Sequence, residues 1–218
     1  MRATRGLVFD GFGTLGLRGL QFNSGSALHI QNCVFRNYEA AAPDGIAILF
    51  TPNGRSQLFI SDSIVLNNGS IANTGGIKIV PRTASGSVDF VFDRVHVENN
   101  VEGLLIDSTS ATSALGVHGV IRDSVFAGNA ANGIRAVTAA GKPPAFAFVE
   151  GSSMVNNAGS GILTNGPGAT VLLGRSVITR NGTGVTTVNG GQLISYADNK
   201  NNNNVGAEGT ATGFPGGF

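Results

Sequence analysis

The stretch LFISDSIVLNNGSIANTGGIKI, residues 58–79, decides the fold because its pattern returns along the whole chain. An apolar triplet (Leu58-Phe59-Ile60) is followed by a small residue at Ser63 and a second apolar pair, Ile64-Val65. Then come a doubled asparagine, Asn67-Asn68, and a Gly-Ile step at Gly76-Ile77. The same order appears from Leu28 to Ile46, Phe90 to Leu104, Val120 to Ile134, Ala147 to Ile162 and Val171 to Val185. A weaker copy runs from Leu193 to Gly206, and Gly19-Leu20 reads as the end of an incomplete first turn. The Gly-Ile marks are 22 to 31 residues apart, a spacing typical of stacked repeats.

Each unit reads as three short strands with period-two alternation and turn residues between them. No segment keeps a 3.6-residue period for ten residues, since Gly and Asn interrupt every candidate helix. Three strands per turn, stacked in register about 4.8 Å apart, make a right-handed parallel β-helix. The expectation is an all-β solenoid of about seven coils with an incomplete N-terminal coil. It forms one domain over 1–218, with repeat coils over about 6–206 and an irregular tail over 207–218.

Composition limits the function classes. The chain has 218 residues, a net charge of +1 and only 12% charged residues, which argues against a nucleic-acid binder working by phosphate neutralisation. Apolar residues make up 41% of the chain but never form the run of about 18 that a membrane span needs. The single Cys33 excludes an internal disulfide, and no His or Cys cluster suggests a metal cage or a cofactor. MRATRGLVFDG lacks the apolar run of a signal peptide.

The 21 asparagines acquire a reason in a stack of coils. Asn tolerates the left-handed backbone of a tight corner, and its amide can bond the equivalent Asn one coil away. Asn37, Asn68, Asn100, Asn129, Asn157, Asn181 and Asn204 are the expected ladder. Cys33, Ser63, Val95, Ser124, Ser152 and Ser176 form a second row of small residues at the other bend. Asn68-Gly-Ser and Asn181-Gly-Thr match the glycosylation pattern, but their place in the ladder makes the match coincidental.

The repeat pattern resembles the right-handed parallel β-helix proteins of the pectate-lyase-like superfamily, in particular bacterial members. Gly6-Leu7, Gly11, Gly13-Thr14, the run GLQFNSGSALHIQNC (19–33) and the closing stretch 190–199 carry the likeness. It covers nearly the whole chain, from Gly6 to about Gly206. Longer relatives usually have further N-terminal coils and an export signal, which implies an exported or cell-surface setting; this chain has neither.

Two motifs near the N-terminus are decoys. Gly11-Phe-Gly13-Thr-Leu-Gly16 matches GxGxxG, but LRGLQFNSGS cannot form the helix that would hold a pyrophosphate. Asp10 and Thr14 in LVFDGFGTL look like the nucleophile motif of haloacid-dehalogenase-type hydrolases, but the later motifs of that family have no counterparts.

Lyases and hydrolases of the β-helix kind need clustered carboxylates with basic partners, and the acids here are scattered. One column stands out: Asn32, Asp62, Arg94 and Asp123 hold the same place in successive coils, with His96 and Asp93 nearby. Asp62, Arg94, Asp123 and His96 are therefore candidate glycan contacts, against the plainer reading of an outward salt-bridge ladder. No catalytic residue is assigned. The other anomaly is apolar. The middle residues of the strands face outward, yet read Phe59, Val91, Val120, Phe148 and Leu172 on the first strand. Ile64, Val125 and Val177 do so on the second. Strands apolar on both faces are usually buried on both. The loops at 51–57, 81–87, 107–116 and 138–144 are poor in apolar residues and would cover little. A non-enzymatic module with a structural, surface or glycan-associated role, self-associating as a homo-oligomer through this face, is the expected function. A polysaccharide partner, and a lyase or hydrolase activity, are the alternatives.

Overall fold

The computed structural model describes residues 2–82 and 85–215. The chain winds as a parallel β-solenoid, each circuit but the last giving one strand to each of three sheets. The first sheet contains β1 (Arg2–Arg5), β4 (Ala27–Gln31), β7 (Arg55–Ser61), β10 (Ser87–Asp93), β13 (Val117–Arg122), β16 (Ala145–Glu150), β19 (Ala169–Gly174) and β22 (Gln192–Ser195). The second contains β2 (Val8–Gly13), β5 (Val34–Tyr38), β8 (Ile64–Leu66), β11 (His96–Glu98), β14 (Val125–Ala127), β17 (Ser153–Val155), β20 (Val177–Thr179) and β23 (Lys200–Asn202). The third contains β3 (Arg18–Phe22), β6 (Ile46–Phe50), β9 (Gly75–Ile79), β12 (Glu102–Asp107), β15 (Ile134–Val137), β18 (Ser160–Asn165) and β21 (Thr183–Val188). The circuit containing Arg2–Phe22 has all three strands, a fuller turn than the sequence suggested.

The register puts like residues over like. Leu28, Leu58, Phe90, Gly119, Ala147 and Val171 form one inward column, and volumes compensate along it. The Phe90 ring fills the space over Gly119, where an added Cβ would lie 2.2 Å from it. Phe35, Val65, Val97, Phe126, Met154 and Ile178 form a second column, all fully buried. Burial of each large side chain stabilises by about 1.5–3 kcal/mol, and stacking makes that burial possible in circuits built of short strands.

Both corners are built from left-handed residues. Asn32, Asp62, Arg94, Asp123, Gly151 and Arg175, at φ between 46° and 57°, turn the chain from the first sheet into the second. Asn37, Asn67, Asn99, Gly128, Asn156, Arg180 and Asn203 turn it from the second into the third. The ladder asparagines are the residues one step later. Asn68 Nδ2 donates to Asn100 Oδ1 (2.8 Å), and the chain of amides continues through Asn129, Asn157 and Asn181 to Asn204. Each Oδ1 also accepts the backbone N–H of the preceding ladder residue. A doubled asparagine thus divides two tasks: the first residue makes the corner, the second the ladder.

Asn37 departs from the expected ladder. It is a corner residue at φ 61°, and its amide donates to Asp10 Oδ1 instead. Tyr38 takes the ladder position there, through its backbone N–H to Asn68 Oδ1 at 3.1 Å. The serine row forms its own ladder. Ser124, Ser152 and Ser176 each accept the backbone N–H of the residue one circuit before, all at 3.1 Å.

Candidate functional site

The outer face of the first sheet carries the apolar column. Pairing aligns His29, Phe59, Val91, Val120, Phe148, Leu172 and Ile194, and every one of them is half-buried. Aromatic rings cluster toward its two ends. His29 stacks on Phe59 at 4.5 Å, and Phe148 meets Tyr196 at 5.8 Å. Between them Val91 and Val120 lie low, leaving a groove of about 310 Å³ whose borders include Phe59, Asp89, His118 and Phe146.

Ile64, Val125 and Val177 do not extend this face. They lie on the second sheet, past the left-handed corner, where the exposed His96 interrupts the row. The expected eight-residue face is therefore two faces, five residues on one sheet and three on the other. The reason is the corner itself: two residues with one φ near 50° redirect the chain into a different sheet.

The charged column resolves into local pairs. Arg94 Nε donates to Asp62 Oδ1 at 2.7 Å, and the same guanidinium also reaches Asp93. The Arg94 hydrogen bond holds the Asp62 carboxyl below its usual range. Asp123 forms no ion pair among the described residues, and His96 bonds Glu98 at 2.9 Å on the second sheet. Asp62, Arg94 and Asp123 stack at one corner in successive circuits, and His96 follows two residues after Arg94 on the second sheet. Their side-chain types follow in part from the corner, because Asn, Asp and Gly suit a left-handed backbone. Among the described residues no group of three or more His, Cys, Asp or Glu could hold a metal ion.

The decoys are also placed. Gly11 and Gly13 lie in β2, and the turn that follows leads into β3, not into a helix. Asp10 accepts bonds from Phe12 N, Asn37 and Arg36, which ties the first circuit to the second.

Sequence reasoning missed a buried charge cluster on the outer face of the third sheet. Glu102, at the start of β12, is 6% exposed, and Lys78 is 8% exposed although it alternates with the core residues Ile77 and Ile79. Asn132 and Arg135 each donate to one oxygen of Glu102, at 3.1 and 3.3 Å. Lys78 Nζ donates to Asn73 O, in the loop between β8 and β9. Burial raises the Glu102 carboxyl above its ordinary value, with Arg135 opposing, and burial lowers the Lys78 ammonium. The only hint in the sequence was a lysine at 78, where both neighbouring circuits have leucine, Leu49 and Leu105.

These shifts fix a pH dependence. A carboxyl whose native pKa is raised favours folding below its unfolded value and loses that contribution as pH rises through the native value. Glu102 should thus subtract stability above its ordinary value of 4.5, and Glu102→Gln should flatten that limb. Asp10 and Asp62 act oppositely: both are lowered, Asp10 chiefly by the Phe12 N–H, so their contribution is lost as pH falls from 3.8 through the lowered values. Thermal unfolding of both proteins between pH 3 and 8 checks this; parallel curves above pH 4.5 would contradict it.

Fold and face together define a parallel β-solenoid with an internal asparagine ladder and one apolar, grooved outer sheet. No known protein family, curated protein or solved structure matches the chain.

Proposed function

We propose that the protein is a non-enzymatic β-helix module of the pectate-lyase-like kind, with a structural or surface role, that self-associates through the outer face of its first sheet. The observation that carries this reading is the unbroken apolar column from Phe59 to Ile194 on an outward face. Eight strands at about 4.8 Å make a face roughly 34 Å long, of which the apolar column covers about 24 Å; with the second, largely polar outward row of Gln57, Asp89, His118, Phe146, Thr170 and Gln192 the width is about 15–20 Å. That is on the order of 500–700 Å² per copy, polar and apolar together, enough for two copies to pass the roughly 1,000 Å² a specific interface needs. Sedimentation should show an oligomer for the native chain. Phe59→Glu should yield a folded monomer, because pairing would bury an uncompensated carboxylate. A native chain that sediments as a monomer at all concentrations rules the reading out.

The groove favours a second reading, a glycan contact. Sugar rings offer a C–H face to aromatic walls, and Asp89 and His118 supply polar partners at the rim. Incubation with uronate-containing polymers, with and without calcium, separates the cases. Retention without cleavage supports glycan association, and released product overturns the non-enzymatic assignment.

A further inference from the structure

We infer that two copies pair end over end, with Phe148 of each seated over Val91 and Val120 of the other. The inference rests on the self-association proposed above and specifies its symmetry and register. A closed pair places the same face of both copies together about a two-fold axis lying in the interface. Two such axes keep the strands of the two facing sheets aligned. An axis along the solenoid sets each circuit on its own counterpart. Phe59 then meets Phe59, Phe148 meets Phe148, and the valine groove faces another groove. Ridges collide there while the hollows stay empty, and interiors do not tolerate such voids.

An axis along the strands keeps each residue's place across the sheet but reverses the order of circuits. This suits the relief of the face. Phe148 is one circuit beyond Val120 and two beyond Val91 in the same outward row. With the axis beside β13, Phe148 of one copy falls between Val91 and Val120 of the other, and the symmetric contact forms at the same time. Leu172 then lies between Phe59 and Val91, and Ile194 between His29 and Phe59, so the apolar row meets apolar groups along its length. In the neighbouring outward row Asp89, paired with Arg55, then faces Phe146 and Thr170 of the other copy.

The arrangement is tested by cysteine cross-linking of the full chain with a bismaleimide spanning about 10 Å, because facing sheets lie about 10 Å apart and a direct disulfide would not reach. The native Cys33 is buried and serves as the silent background. In the end-over-end pair, the two Val120 positions are offset by half a circuit, about 2–3 Å along the solenoid. The two His29 positions are separated by six and a half circuits, about 31 Å. Val120→Cys should therefore give a covalent dimer and His29→Cys should not. Phe148→Ala should weaken association about tenfold or more. A His29→Cys cross-link would establish the like-on-like pairing and overturn the end-over-end arrangement, leaving self-association intact. A dimer in which neither cysteine cross-links would place the contact on another face and overturn it too. A native chain that stays monomeric would sink both this inference and the reading beneath it.

Discussion

Replacing Asn129 by alanine should lower the unfolding free energy by about 3–5 kcal/mol and the melting temperature by roughly 10 °C. The amide of Asn129 is at the middle of the ladder and makes four bonds. Its Oδ1 accepts the backbone N–H and the Nδ2 of Asn100, at 3.0 and 3.2 Å. Its Nδ2 donates to Val97 O and to Asn157 Oδ1, at 3.2 and 2.8 Å. Asn100 is almost wholly buried, so alanine leaves its backbone N–H without a partner and without water, while Asn100 Nδ2 keeps Val65 O and Asn157 Oδ1 keeps the backbone N–H of residue 129. An orphaned buried polar group costs about 1–3 kcal/mol, more than the net worth of the bond it loses. A matched pair isolates the cause. Asn68→Gly removes a ladder amide and should be severe, while Asn67→Gly falls on a corner at φ 56° that glycine adopts freely and should change little. Thermal melts of the three variants decide the matter; equal losses at 67 and 68 would refute the division of labour within the doubled asparagine.

That division also marks where the sequence stopped being legible. The strands, their stacking and the ladder from Asn68 to Asn204 follow from a repeating pattern, because identical environments select like residues in every circuit. Asn37 broke the inference for a physical reason: it is a single asparagine, and the corner and the ladder both favour the same residue type. The pattern at 62, 94 and 123 is ambiguous in the same way. Its members occupy a left-handed corner, which by itself selects short polar residues. Arg94 is the exception. It accepts a strained backbone, which costs on the order of 1–2 kcal/mol, beside an ion pair to Asp62. Lys78 and Glu102 stayed hidden because their burial comes from surroundings outside the repeat. The loop segment with Asn73 at Lys78 and the Asn132 side chain at Glu102 lie outside the strands, and Arg135 stands where the paired strands have Leu105 and Leu163. Repeats reveal what is periodic. Chemistry placed between the repeats has to be seen in three dimensions.

The position of a residue along the stack should matter as much as its burial, and truncating two phenylalanines in one column tests this. Phe126→Ala should cost about 3–5 kcal/mol. Its ring is fully buried between Val97 on one side and Met154 on the other, so the cavity opens between two filled circuits. Phe9→Ala should cost about half as much or less. Phe9 stacks on Phe35 at 4.4 Å, but β2 has a partner strand on one side only and the ring is half-buried. The two lesions should also differ in kind. Stability in a stack is a sum of circuits and of the contacts between neighbours. A defect at the end shortens the cooperative unit, whereas one in the middle weakens the link between two halves. Phe126→Ala should therefore broaden the denaturant transition or split it in two, and Phe9→Ala should leave one transition at a slightly lower midpoint. The middle lesion reaches the proposed contact as well: Phe126 belongs to the circuit of Val120, on which the paired copies are centred. Loss of association in Phe126→Ala at temperatures where the strands remain folded, with association kept in Phe9→Ala, is the expected result. Sharp single transitions with equal midpoint shifts in both variants would mean that the solenoid melts as one block, with no dependence on place along the stack.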